Sequence, residues 1–177
     1  LSDGRFIFGV GAGWNKPEVE NHGTEFSERW RVLRERILAM KTIWTEEEPE
    51  FHGEFINFEK MWSFPKPIQK GGPPIWIGSN SKYVGERVAE YGDGWLPIGG
   101  RPGDGTVESV KAACTKRGRS YQDLDLALFL APLNERELEE QLAFGYNHVV
   151  FGLPSDSREV VLPVLDKIMA LKEKVLR

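Results

Sequence analysis

Apolar and polar positions alternate in blocks along this chain. Arg5 to Val10 (RFIFGV) is a short run rich in strand formers, closed by Gly11-Ala12-Gly13. From Ser27 to Trp44 the apolar residues Trp30, Leu33, Ile37, Met40 and Trp44 recur at spacings of 3, 4, 3 and 4. That period predicts an amphipathic helix, with Thr24 or Ser27 as its cap. Residues 46–73 break the rhythm: Phe51, Phe55, Ile56 and Phe58 alternate around Gly53, which predicts a small hairpin. Pro65, Pro67, Pro73 and Pro74 then predict an extended connection, and the whole stretch reads as an insertion.

The alternation resumes with Pro74 to Gly78 (PIWIG) as a strand and Ser81 to Tyr91 as a helix. Gly94 to Ile98 predicts the next strand, and a polar loop with Arg101 and Asp104 leads to a helix from Thr106 to Arg117. The strand Leu124 to Leu130 follows. Asn134 to Glu137 has the form of a capping box, and Gly145 ends the helix it opens. His148 to Gly152 is the last strand, and Ser157 to Val175 the last helix. Strand and helix thus alternate five times, the pattern of a parallel sheet with right-handed crossovers, class α/β. The nearly continuous apolar run Leu126 to Leu130 fits a strand buried on both faces. A complete (β/α)8 barrel takes about 250 residues, so the pattern alone slightly favours an open five-stranded sheet for a chain of 177.

Charge and composition narrow the function classes. With 23 basic against 27 acidic residues the net charge is -4, so no basic face for nucleic acid is implied. The longest apolar run, from about Leu126 to Leu133, is far short of the ~20 residues a membrane span requires. A single cysteine, Cys114, excludes a disulfide framework and reads as a small buried residue on a helix. The first residue is Leu1, with no secretory leader after it, and a cytoplasmic location is the expectation drawn from that.

Candidate chemistry gathers at the glycine-rich turns. Gly9-Val10-Gly11-Ala12-Gly13 follows a strand, but Trp14 stands where a dinucleotide fingerprint needs its third glycine, and Pro17 and an irregular stretch to Gly23 follow. The milder reading is a close ligand approach at Gly11 and Gly13; a plain tight turn is the alternative. Gly78-Ser79-Asn80-Ser81, between a strand and a helix, offers backbone N–H groups, two hydroxyls and an amide to an anion, or serves only as a helix cap. Tyr91 to Trp95 reads as a helix end and turn, with Asp93 bonding to nearby backbone N–H groups. His22, His52 and His148 share no metal spacing, and no nucleophile elbow, Walker loop or zinc-protease motif is present. Phosphate-loop chemistry without an evident acid, base or nucleophile suits redox work by a bound cofactor.

Three segments together resemble one family: Gly4 to Trp14 with Glu18 and Gly23, Pro73 to Gly78 with Asn80-Ser81, and Gly92-Asp93-Gly94-Trp95. Phe26 to Arg29, Trp44 to Glu46 and Phe64 to Pro67 fit between them. The chain resembles the bacterial luciferase-like monooxygenase superfamily, in its branch that uses the deazaflavin coenzyme F420. The resemblance implies a (β/α)8 barrel, of which residues 1–177 would be the C-terminal part, strands four to eight, with residues 46–73 as the insertion before strand five. Strands one to three would be absent, and Leu1 would be a truncation point. Such a part alone would expose unpaired edges and an apolar face. Ala12 and Gly13 would border the cofactor ring or its ribityl chain, and Gly78, Ser79, Asn80 and Ser81 would hold its phosphate. Trp14 occupies a position where sugar-phosphate-oxidising relatives carry an acid, which argues against that activity. Arg101 lies in the loop where those relatives bind the substrate's anionic group; a solvated loop arginine is the alternative. The family's acid–base residues belong largely to the first part of the barrel, so catalytic residues are unassigned in this chain. The implied activity is hydride transfer between F420 and a small organic substrate, in a homodimer. The runner-up is an FMN-dependent monooxygenase served by a flavin reductase. A third reading is a non-catalytic half-barrel that binds a phosphate-bearing ligand or assembles with itself. No nucleic acid, membrane or metal is implied.

Overall fold

The computed structural model describes residues 2–97 and 106–175. The chain divides into two compact units, Leu1–Trp76 and Ile77–Arg177, and the division falls inside one strand.

In the first unit, β1 (Phe8–Val10) is followed by α1 (Lys16–Asn21), α2 (Arg29–Thr45), β2 (Phe51–His52), β3 (Asn57–Phe58) and the start of β4 (Ile75–Ile77). The first strand is shorter than RFIFGV suggests. Its ladder begins where the Phe8 N–H donates to the Pro74 carbonyl at 2.8 Å. The Phe6 carbonyl is taken instead by the side-chain amide of Gln69 at 2.9 Å. The helix α1 corrects the expectation of an irregular stretch before Gly23. Pro17 stands in its first turn, where the fixed φ of proline favours a helix and the missing N–H costs nothing. Along α2 the expected caps do not act. Glu28 is the N-cap residue without a side-chain cap bond, because Ser27 Oγ donates to the Glu25 carboxylate at 3.4 Å.

The hairpin forms where the sequence places it. β2 and β3 pair antiparallel, Phe51 opposite Phe58 and His52 opposite Asn57. The Phe51 and Phe58 rings stack with centroids 6.3 Å apart. The turn is held by α2: the Glu35 carboxylate accepts the N–H groups of Glu54, Phe55 and Ile56 at 2.9, 2.7 and 3.1 Å. Desolvation works to raise the Glu35 carboxyl, but these three bonds, with the charge of Arg34, hold it below the ordinary glutamate range.

The second unit is the regular one. The end of β4 is followed by α3 (Val84–Tyr91), β5 (Gly94–Trp95), α4 (Val107–Lys116), a short 3-10 turn at Tyr121–Asp123, β6 (Asp125–Phe129), α5 (Glu135–Ala143), β7 (His148–Val150) and α6 (Arg158–Val175). The strands neighbour one another in chain order. Leu96 N–H donates to the Ile77 carbonyl at 3.0 Å, and β5–β6 and β6–β7 are both parallel. Five alternating strand–helix units and a parallel sheet are therefore present, as the periodicity predicts. Leu126, Ala127 and Leu128 of β6 are all buried, as expected for a strand covered on both faces. Leu128 packs with Ala131, Leu138 and Leu171 into a core flanked by Leu142, Tyr146 and Phe151. Asn134 Oδ1 accepts the Glu137 N–H at 3.0 Å, and Gly145 takes the left-handed φ of +105° that ends α5. Cys114 is buried on α4, as read from the sequence, and desolvation raises its thiol while Arg119 opposes. Leu130, Leu153, Val160, Leu162, Leu165 and Met169 are exposed. No helix among the described residues is long and apolar enough to cross a membrane.

Candidate functional site

The candidate residues fall in both units. In the first, the chain leaves β1 through Gly11, Ala12 and Gly13. Gly13 has φ +82°, and a Cβ there would lie 2.7 Å from Val19 Cγ2 on α1, so glycine is required twice over. Arg29 reaches back from α2: its Nε donates to the Gly13 carbonyl at 3.1 Å and its Nη1 to the Phe26 carbonyl at 2.6 Å. Ala12, Gly13, Trp14, Glu18, His22 and Arg36 are among the residues around an open cleft of about 330 Å³. That volume is at the lower end for a small-molecule site. Trp14 is 88% exposed on its rim.

In the second unit the turn after β4 is built on serine hydroxyls. Ser81 N–H donates to Ser79 Oγ at 3.2 Å, and Ser79 Oγ donates to Ser81 Oγ at 3.2 Å. The Ser79 carbonyl is fixed from below by Nε1 of the buried Trp95 at 2.8 Å. These local bonds delay the helix. The turn does not open directly into it as expected; α3 starts at Val84, three residues after Ser81. Serine hydroxyls that bond nearby backbone give the chain an alternative to helix, and here the alternative wins for one turn. Tyr83 is the N-cap residue and makes no side-chain cap bond.

Arg87 completes this arrangement. From α3 its Nη1 donates to Ser81 Oγ at 2.9 Å, and the guanidinium carbon lies 5.7 Å from the Tyr83 ring centroid. Its cation beside two hydroxyls at a helix start makes a donor set suited to an anion. A reading based on glycine turns missed Arg87, although a cation within two turns of the predicted helix start was a usable signal. Arg101 lies outside the described residues.

Gly92 and Asp93 join the end of α3 to β5, the helix end and turn read from the sequence. Gly92 closes α3, and a Cβ there would meet Ile77 Cγ1 at 2.8 Å. Arg119 Nη1 donates to the carbonyls of Val88 and Gly92 at 3.1 and 2.6 Å, and its Nη2 stands 3.6 Å from Asp93 Oδ1. The cation sits where the negative end of the helix favours it. At the start of β7, the exposed His148 has Nδ1 2.9 Å from Asn147 Oδ1.

Comparison with known proteins agrees with this architecture. A family model described as luciferase-like monooxygenase matches residues 1–149. The FMNH2-dependent dimethylsulfone monooxygenase of Pseudomonas putida is 31% identical over 81% of this chain and 41% of its own length. The F420-dependent glucose-6-phosphate dehydrogenase of Rhodococcus hoagii is 29% identical over 71% of this chain and 39% of its own. In fold, the chain matches the structure of an F420-dependent secondary alcohol dehydrogenase in complex with an F420–acetone adduct. The TM-score is 0.61 at 20% identity, covering 94% of this chain and 55% of that one. The chain spans 39–60% of the length of such curated relatives. The open five-stranded sheet favoured by the pattern alone gives way to part of a barrel, because the chain matches a luciferase-like family model and covers only about half of the barrel neighbours it resembles in fold.

Proposed function

This chain belongs to the luciferase-like monooxygenase family, and from that premise we propose that it holds the phosphate end of coenzyme F420 in an oxidoreductase acting on a small organic substrate. The observation that carries the proposal is the hydrogen-bonded set of Ser79, Ser81 and Arg87 at the start of α3. Hydroxyl, guanidinium and helix-start N–H groups are the chemistry a phosphate monoester or diester requires. The residues present therefore fit the group. Gly78 keeps the backbone low, Ser79, Asn80 and Ser81 supply donors, and Arg87 supplies the counter-charge. At the other candidate position, Ala12 and Gly13 line the cleft with no side chain larger than a methyl group, which leaves room for a flat ring or its ribityl chain.

When bound, a deazaflavin ring accepts or gives a hydride as a two-electron carrier. The protein's part is to anchor the phosphate, orient the ring and exclude water. In the cleft, the exposed Trp14 is an apolar surface for an organic substrate and provides no acid for oxidising a sugar phosphate. Residues 1–177 are taken as strands four to eight of the barrel. No catalytic acid or base is assigned among these residues, and Arg101 is the proposed contact for an anionic substrate group.

A second reading has a specific support in the 31% identity to an FMNH2-dependent monooxygenase. The same turn would then hold the FMN phosphate, and a reductase would deliver the reduced ring. Parallel titrations with F420 and FMN, followed by ring absorbance, test the choice. F420 is expected to bind at least about tenfold tighter, a difference of about 1.4 kcal/mol. Equal affinity or a preference for FMN overturns the deazaflavin assignment.

A further inference from the structure

The antiparallel hairpin of the first unit carries a group of side chains with no part in the redox reading. Antiparallel pairing puts directly opposed residues on one face and alternates faces along each strand. Phe51 and Phe58 stack on one face. On the other face His52 stands opposite Asn57, and Glu50 and Glu59 flank the paired residues, one just before β2 and one just after β3. One ligand atom from each of Glu50, His52 and Glu59 lies within 4.8 Å of the others, and all three residues are exposed. Among the described residues none of these three side chains takes part in a hydrogen bond or ion pair. Two carboxylates this close repel each other, so a cation between them would remove a cost as well as gain ligands.

The backbone under this face is fixed. Glu35 binds three N–H groups of the hairpin turn, Gly53 N–H donates to the Ile56 carbonyl at 2.9 Å, and Met61 N–H donates to the Pro49 carbonyl at 3.2 Å beyond the two glutamates. Both ends of the strand pair are thus closed. Only exposed side chains have to adjust for three atoms to meet one ion at about 2.0–2.2 Å.

We propose that Glu50, His52 and Glu59 bind one divalent transition-metal ion, with zinc as its representative, and that the ion clamps the base of the hairpin. An imidazole with two carboxylates suits a borderline ion; magnesium and calcium prefer ligand sets made only of oxygen. Three protein ligands leave the remaining position to water. The site is separate from the phosphate turn and stands or falls independently of the cofactor assignment.

The test is calorimetric titration of the whole chain with zinc chloride in a non-coordinating buffer, with magnesium chloride as the comparison. The expected result is one zinc ion per chain. His52→Asn and Glu59→Gln should each weaken binding by about tenfold or more, and His22→Asn should leave it unchanged. Because the altered side chains are exposed, the far-ultraviolet dichroism of the variants should match the parent. Absence of a zinc isotherm, unchanged affinity in both hairpin variants, or magnesium bound as tightly as zinc would each overturn the site.

Discussion

The second unit contains helix starts of two kinds. At α4, Thr106 Oγ1 accepts the Ser109 N–H and Ser109 Oγ accepts the Thr106 N–H, both at 3.1 Å, a complete reciprocal cap. At α5, Asn134 does the same work with one bond. At α3 two serines precede the helix, yet neither caps it; their hydroxyls bond to each other and to Arg87. Where a turn only has to start a helix, polar side chains are used on the backbone. At α3 the helix is placed from elsewhere: Trp95 fixes the turn, Arg119 takes the carbonyls at the far end, and α4 packs close behind. The side chains at its start bond to one another and to the turn instead of capping the helix.

That contrast breaks most visibly at Gly85. A Cβ there would lie 2.5 Å from the Ser109 carbonyl oxygen on α4, a backbone atom that cannot swing aside. Gly85→Val should cost about 2 kcal/mol by overpacking and lower the melting temperature by several degrees. An unchanged melting curve would mean that α3 is not held by this close approach.

The next effect is on ligand binding rather than stability. Arg87→Met keeps the apolar stem and removes the charged donor, so affinity for a phosphate-bearing cofactor should fall at least tenfold, given about 1.5–3 kcal/mol for a hydrogen bond to a charged group. Thermal stability should stay within about 0.5 kcal/mol. Cofactor titration and a melt on the same sample read both quantities. Thr106→Ala should do the reverse. Losing the cap costs about 1 kcal/mol, and cofactor affinity should not move. If Thr106→Ala weakened cofactor binding as much as Arg87→Met, the distinction between the two helix starts would fail.

The smallest effect is a pH dependence between the same two helices. Glu86 on α3 lies 3.0 Å from Lys116 Nζ and 3.4 Å from Arg117 Nε. The hydrogen bond and charge of Lys116 act first, with desolvation opposing, and the carboxyl is held below its ordinary value of 4.5. A lowered folded-state value means the pair stabilises above the unfolded value and is lost as pH falls through the folded one. The parent chain should therefore lose slightly more stability below pH 4.5 than Glu86→Gln, in melts at low salt. Identical acid profiles would show that the pair contributes nothing.

Much of this architecture is legible from the order of residues. Periods of two and near 3.6 gave the hairpin, the strands and five of the helices, because burial on one face imposes those periods directly. The start of α3 was misplaced by three residues because Ser79 and Ser81 bond locally, and hydropathy carries no trace of that choice. The short α1 was hidden by Pro17, a breaker inside a helix but a starter in its first turn. Gly78 to Ser81 stood out by composition, whereas Arg87 looked like one more charge on an amphipathic helix. Its part depends on which way it turns, and only the fold decides that. In the same way, His52 lacks a histidine partner at metal spacing; Glu50 lies two residues away, and Glu59 is brought near only by the hairpin.

The central claim is that the turn after β4 recognises phosphate, and one comparison tests it directly. Binding of FMN and of riboflavin, identical except for the phosphate, should be measured on the parent chain and on the variant carrying Ser79→Ala, Ser81→Ala and Arg87→Met. The parent is expected to prefer the phosphate-bearing form by about tenfold or more, and the variant to bind both forms alike. A phosphate preference that survives all three substitutions would contradict the account and place the anion site elsewhere in the protein.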